Sequence, residues 1–225
     1  MDDPIKIGLV LAYAYLLGSV NAAYVVGRVV KGVDLRTVGS QNAGASNVWQ
    51  QVGRFWLFPV GAFDMFVKGM TPVYLARYGL GLELEWQAAA GLLAIAGHNW
   101  SVFLGFQGGR GIAPTVGVLI AMARLELAMF IIIATMGWRL TGSSAVWVLI
   151  GLASLPLWGV LWERPGAIVA LTGGILVITV VKRLAANSPN ASGTPTAQLM
   201  CNRLLYDRDI ADHEQWVTQS GEGAR

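Results

Sequence analysis

Seven apolar stretches alternate with short polar connections along the chain, over 5–30, 55–76, 86–106, 112–122, 125–138, 145–161 and 167–181. A helix needs about 20 apolar residues to cross the hydrocarbon of a bilayer. The fourth and fifth stretches are short by that measure and read as tilted, half-inserted or one bent pair, so six spans is the alternative to seven. Their boundary is Ala-Arg-Leu-Glu over 123–126. Basic residues favour alternate connections. Lys31, Arg36 and Arg54 flank the first, Arg110 follows the third stretch, Arg139 the fifth, and Lys182 with Arg183 the last. The other connections pair Arg77 with Glu83 and Glu85, Arg124 with Glu126, and Glu163 with Arg164. The positive-inside rule places the basic set in the cytoplasm. The predicted fold class is therefore all-α, a polytopic integral membrane protein of about seven transmembrane helices, N-terminus outside and C-terminus cytoplasmic.

Composition agrees. The chain is 55% hydrophobic and 13% charged, with a mean hydropathy of +0.54, against roughly 25% charged residues in a soluble domain. A formal charge of +3 is too small and too scattered for a nucleic-acid-binding surface. Cys201 is the only cysteine and His98 and His213 the only histidines, so no disulfide, protein metal centre or bound cofactor is expected. The 28 glycines fit close helix packing in lipid. The start, Met1-Asp2-Asp3-Pro4, lacks the basic region of a signal peptide, so the first stretch is expected to be kept as a helix. From Asn187 the composition turns to Asn, Ser, Pro, Gly and Thr, a linker. Leu199, Leu204, Leu205 and Ile210 then recur near helical spacing, which predicts a short amphipathic helix. The chain thus divides into a membrane part, 1–186, and a cytoplasmic tail, 187–225.

Three polar clusters fall on the basic side. The first is Arg36-Thr-Val-Gly39-Ser40-Gln-Asn42-Ala-Gly44-Ala-Ser46-Asn47. Small residues let backbone amides approach a ligand and form anion-binding concavities, and Ser40, Asn42, Ser46 and Asn47 add neutral donors. The same residues also suit an ordinary turn and helix cap. The second is Phe63-Asp64-Met-Phe-Val-Lys68-Gly69, inside an apolar stretch. Asp64 and Lys68 share a helix face at i,i+4. They are either a structural ion pair or a cation aimed at a phosphate, since charge at membrane depth is costly and marks functional candidates. The third is Gly97-His98-Asn99-Trp100, then Phe103-Leu-Gly-Phe-Gln-Gly108-Gly109-Arg110-Gly111. Flexible amides beside a guanidinium suit a phosphate. His98 is either a general base near neutrality or a structural hydrogen-bonding group.

In this order and spacing the three clusters resemble the PlsY-type acyl-phosphate glycerol-3-phosphate acyltransferases over most of residues 5–185. The resemblance implies a seven-helix enzyme of the bacterial cytoplasmic membrane. It would move an acyl chain from acyl phosphate to the 1-hydroxyl of sn-glycerol 3-phosphate, giving lysophosphatidic acid and inorganic phosphate. His98 and Ser40 become the catalytic candidates. Gly39, Asn42, Gly44, Ser46, Asn47, Lys68, Gly69, Gly108, Gly109, Arg110 and Gly111 become candidates for holding the phosphates. The partners implied are those two substrates and the lipid bilayer, without nucleic acid. The chain departs from the family pattern at several points. Ser46 stands for a usual Thr, Gln50 for an Arg with Arg54 nearest, and Arg110 for a Lys. Pro114 interrupts a run of small residues, and the interval from Asp64 to Lys68 is one residue longer than typical. The His-Arg-x-Asn ending of the last helix is replaced by Lys182-Arg183-Leu-Ala-Ala-Asn187.

An acyl phosphate is an activated mixed anhydride, so such an enzyme must chiefly align a hydroxyl with the carbonyl and screen two phosphates from each other. Rival acyltransferase chemistry lacks its residues. Five positions after His98 stands Phe103 rather than an Asp, and no Gly-x-Ser-x-Gly elbow or Walker A loop occurs. The alternatives from another class are a transporter or binding protein for an organic phosphate, which would call for an inverted repeat that is not visible, and a catalytically impaired homologue.

Overall fold

The computed structural model describes residues 3–187 and 195–210. Among these every regular element is helical: α1 (Pro4–Ser19), α2 (Ala22–Val26), α3 (Ala45–Gln51), α4 (Leu57–Ala62), α5 (Thr71–Tyr74), α6 (Leu84–Asn99), α7 (Ile112–Met122), α8 (Arg124–Thr141), α9 (Ser144–Leu161), α10 (Gly166–Ala185) and α11 (Thr196–Tyr206). Three runs are long and apolar enough to cross a membrane by themselves: Pro4–Lys31, Ser144–Leu161 and Gly166–Ala185. Large apolar side chains cover the outside of the bundle, among them Ile5, Leu9, Phe58, Leu140 and Leu157. The chain is an all-α, polytopic membrane protein.

The seven apolar stretches all appear as helix, with local breaks that hydrophobicity does not mark. The first, expected to run unbroken over 5–30, stops after Ser19. There Asn21 turns the chain, its side-chain oxygen accepting from the Tyr24 amide at 2.7 Å to cap α2. The second is helical from Arg54 to Gly79, but a wide π-type turn over Phe63–Met70 joins α4 to α5. Pro72 has no N–H to return to the Lys68 carbonyl, which favours the wider turn there. The third, expected to reach 106, ends at Asn99. The short fourth and fifth stretches are two separate helices, divided at Ala123.

α6 is the central helix, with α1 and α10 packed along it, and α7 lies against the π-type turn. Gly97 makes the α1 contact possible: a Cβ there would collide with the Tyr15 carbonyl oxygen. At the same end Tyr15 donates its hydroxyl to the Trp100 carbonyl at 2.7 Å and Ser101 donates to the Ser19 carbonyl at 2.6 Å. The apolar core between α6, α7, α9 and α10 holds Ile95, Val118, Leu119, Leu152, Leu155, Leu171 and Ile175. The antiparallel bundle gathers the C-terminal ends of α6 and α10, the N-terminal ends of α7 and α9, and the loop before α3 at one end of the molecule.

The amphipathic tail helix forms as α11, with Leu199 buried. It contains Leu204 and Leu205 but not Ile210, because Asp207 takes a left-handed conformation (φ 57°) that ends the helix. Arg183 fastens it, donating to the Leu204 carbonyl at 2.7 Å and to the Ala145 carbonyl at 2.9 Å. Asn187, which composition assigns to the linker, is tied to the loops at the cleft end; the linker beyond it and the end of the tail lie outside the described residues.

Candidate active site

Where the helix ends converge, a cleft of about 510 Å³ opens, walled by the loop before α3, the start of α7, the ends of α9 and α10, and the residues after α11. Ser40, Asn42, Gly44, Ser46, His98, Arg110 and Gly111 line it, as do Gln50, Asp64, Arg183, Tyr206 and Asp207. Seven sequence candidates thus meet at one surface. The others lie behind it.

The loop before α3 is a scaffolded turn. Asn47 is buried and its side-chain amide donates to the carbonyls of Leu35 and Val38 at 3.0 Å and of Asn42 at 3.1 Å, while its oxygen accepts from the Ser40 amide at 3.3 Å. It holds the loop's shape from inside rather than facing the cleft. Gly39 (φ 56°) lies against the same Asn47 oxygen, leaving no room for a Cβ. From outside, Asn21 donates to the Ala43 carbonyl at 3.0 Å. Asp34 clamps the loop entry, accepting from Arg36 and from Arg28 at 2.8 Å. The hydrogen bond from Arg36 holds the Asp34 carboxyl down at about 2. That clamp contributes stability above the ordinary carboxylate range and loses it only as the pH falls toward 2.

Lys68 is 0% exposed and does not reach the cleft. Its ammonium lies 2.7 Å from Asp64 Oδ1 and 3.2 Å from His98 Nδ1, and Asp64 Oδ1 is 3.7 Å from that ring nitrogen. The expected ion pair therefore exists, with His98 as a third member, and the cation is aimed at the imidazole rather than into open space. Gly69 serves packing, close to the Pro114 carbonyl and Gly117.

The glycine-rich string also divides. The Gly109 amide donates to the His98 carbonyl at 3.0 Å, and a Cβ on Gly109 would overlap the imidazole at Nε2. Gly108 lies as closely on the His98 carbonyl. These two glycines let the loop fold back over the end of α6, and only Arg110 and Gly111 face the cleft. Ser40 lines the wall beside them.

Residues outside the thirteen site candidates complete the site. Asn187 donates to the Gly108 carbonyl at 2.9 Å and to the Gln41 carbonyl at 3.2 Å, tying the two motif loops together, and accepts from Lys182 at 2.7 Å. Lys182 also lies over the Trp100 ring, 5.6 Å from its centre. Asp207 approaches Arg110 Nε at 3.2 Å. Burial pushes the Asp207 carboxyl above the usual carboxylate range, against the pull of Arg110, Arg183 and Lys182. The available signal was Asn187 closing a Lys-Arg pair at the end of the last apolar stretch. Among the described residues no group of three or more His, Cys, Asp or Glu side chains is placed to hold a metal ion. Chemically, the cleft offers guanidinium groups, small-residue amides, hydroxyls and one imidazole to an anionic ligand whose remainder can lie along apolar helix.

Residues 8–189 match the family model described as glycerol-3-phosphate acyltransferase. A glycerol-3-phosphate acyltransferase of Dehalococcoides mccartyi is 36% identical over 221 residues, covering 94% of this chain and 93% of its own. One from Geobacter sulfurreducens is 38% identical over 182 residues, 77% of this chain and 88% of its own. The crystal structure of the integral membrane glycerol 3-phosphate acyltransferase PlsY in its glycerol 3-phosphate form superposes with a TM-score of 0.72 at 27% identity, covering 79% of this chain and 88% of that one. Its lysophosphatidic acid form shares the fold, with a TM-score of 0.73 at 23% identity, covering 95% of this chain and 98% of that one.

Proposed function

The chain belongs to the glycerol-3-phosphate acyltransferase family, and we propose that it transfers an acyl chain from acyl phosphate to the 1-hydroxyl of sn-glycerol 3-phosphate, giving lysophosphatidic acid and inorganic phosphate. The observation that carries this reading is the convergence of Ser40, Asn42, Ser46, Arg110, Arg183 and His98 on one cleft at the end of an apolar bundle. A phosphate and a fatty chain need those two environments side by side. In the reaction the hydroxyl oxygen attacks the acyl carbonyl carbon, the bond from that carbon to the phosphate oxygen breaks, and the proton passes to a substrate phosphate oxygen. Arg110 and Arg183 screen the phosphates, which otherwise repel each other. Amides and hydroxyls of the loop before α3 orient the glycerol end. His98 and Ser40 face the reacting groups. Lys68, Gly69, Asn47, Gly39, Gly108 and Gly109 act by holding these in place.

The site belongs on the cytoplasmic side of the bacterial cell membrane, with the N-terminus outside. The cleft opens at the end of the bundle that carries Arg36, Arg110, Lys182 and Arg183, whereas the balanced connections lie at the other end. Single cysteines at Gln41, Gln107 and Glu85 in a Cys201→Ser background test this. Only position 85 should react with an impermeant thiol reagent on intact cells, and labelling at 41 or 107 would reverse the arrangement. For the activity, purified protein given acyl phosphate and glycerol 3-phosphate should release phosphate and form lysophosphatidic acid in equal amounts. Phosphate release that is independent of glycerol 3-phosphate, without lipid product, would defeat the reading.

A further inference from the structure

We propose that Asp64 and Lys68 are positioning residues that hold His98 as the neutral tautomer protonated on Nε2, so that the imidazole serves the reaction as a hydrogen-bond donor and not as its base. The proposal rests on the cleft being the acyl-transfer site, but the tautomer itself follows from the geometry behind it.

A lysine ammonium has three N–H donors and no acceptor. The ion pair with Asp64 Oδ1 at 2.7 Å keeps Lys68 charged, and Lys68 places a donor against His98 Nδ1 at 3.2 Å. The Nδ1 atom must then accept, and the only proton of a neutral ring lies on Nε2. The Asp64 oxygen, 3.7 Å from Nδ1, is beyond hydrogen-bond distance of it, whereas the ammonium is within reach. An imidazolium would set an N–H against the ammonium, donor against donor.

Lys68 is fully buried and Asp64 and His98 are 2% and 4% exposed, so the Lys68 contacts lie behind the cleft surface. Of the other charges on this side of the ring, Lys182 on α10 and Arg110 and Arg183 on the cleft wall are cations without an acceptor for an Nδ1 proton, and the Asp207 carboxylate is paired with Arg110 at 3.2 Å. The ring edge carrying Nε2 runs along Gly109, where the missing Cβ leaves it room. A fixed Nε2–H at the cleft suits the negative oxygen that develops on the attacked carbonyl, or a phosphate oxygen, and it cannot take up the glycerol proton.

The test needs no substrate. In a His213→Gln background His98 is the only histidine, so ¹⁵N-histidine labelling of the full chain in lipid nanodiscs gives one pair of ring nitrogens. Near neutral pH the nitrogen spectrum is expected to show an unprotonated Nδ1 and a protonated Nε2. A protonated Nδ1, alone or as imidazolium, overturns the proposal. In Lys68→Met, or in Asp64→Asn/Lys68→Met where the single variant does not fold, the ring should populate both tautomers. kcat should then fall at least about tenfold, the cost of one charge-assisted hydrogen bond, while KM changes less. A variant that keeps the wild-type tautomer pattern removes Lys68 from the positioning role. The expected spectrum in a protein that makes no lysophosphatidic acid would defeat the functional reading and leave the tautomer standing.

Discussion

Two clusters of charge border the cleft on opposite plans. The inner one, Asp64 with Lys68 and His98, is closed. Its cation and anion are 2.7 Å apart, little of it is exposed, and its charges cancel. The outer one sets Arg110, Lys182 and Arg183 against the single carboxylate of Asp207, three cations to one anion among these four residues. Buried charges that are fully paired fix geometry at the expense of desolvation, whereas an excess of one sign is left over for a ligand. The difference suits the clusters to two tasks: on the proposed reading the inner one aims a side chain and the outer one binds phosphate.

The inner plan is most vulnerable to losing one partner. Asp64→Asn leaves the Lys68 ammonium buried without its counter-charge, and the folded protein should lose roughly 3–5 kcal/mol. Thermal unfolding in detergent measures this, and Asp64→Asn/Lys68→Met should recover part of it. An additive double variant would mean the pair is not coupled. Next in size is His98. Removing one donor that stabilises a developing oxyanion costs about 10²–10³ in kcat, so His98→Ala should fall by that much. His98→Gln, which keeps a donor, should stand at least about tenfold above it. Equal losses in the two variants would return His98 to the role of base.

How much of this was legible depends on the range of the interactions. Hydrophobic runs gave the helices, because lipid demands apolar length and little else. The Asp64–Lys68 pair was readable from its i,i+4 spacing. That His98 completes it was not, since the contact spans 30 positions and exists only once α6 packs on the π-type turn. Gly108 and Gly109 were read as a phosphate cradle. Anion binding and close helix approach ask the same thing of a residue, namely no side chain, and the fold uses these two for approach. Lys182 and Arg183 entered the sequence reading as topology signals and as a departure from the family's helix ending, and Asp207 not at all, because a tail's docking site is invisible without the surface it docks on.

The outer plan gives smaller effects of opposite sign. Arg110→Ala removes one charge-assisted anchor of roughly 1.5–3 kcal/mol. kcat/KM should drop about 10- to 100-fold, mostly through KM for a phosphate-bearing substrate. Asp207 holds the same guanidinium at 3.2 Å and competes with any incoming phosphate. Asp207→Asn should therefore lower that KM, by about two- to fivefold, in keeping with the modest worth of a partly exposed pair. A higher KM in Asp207→Asn would mean that the carboxylate orients Arg110 for the substrate instead of competing with it.

Because Asp64 and Lys68 lie on one helical run, they neutralise each other without help from any other segment. An isolated charge at the centre of a helix entering a bilayer costs about 2.5–3.5 kcal/mol, and two unpaired ones would weigh against insertion. As a contact within its own helix, the pair can form before α6 has packed against the segment over 54–79. Paired in this way, Asp64 and Lys68 present a neutral unit to lipid, and His98 adds its contact from the next span.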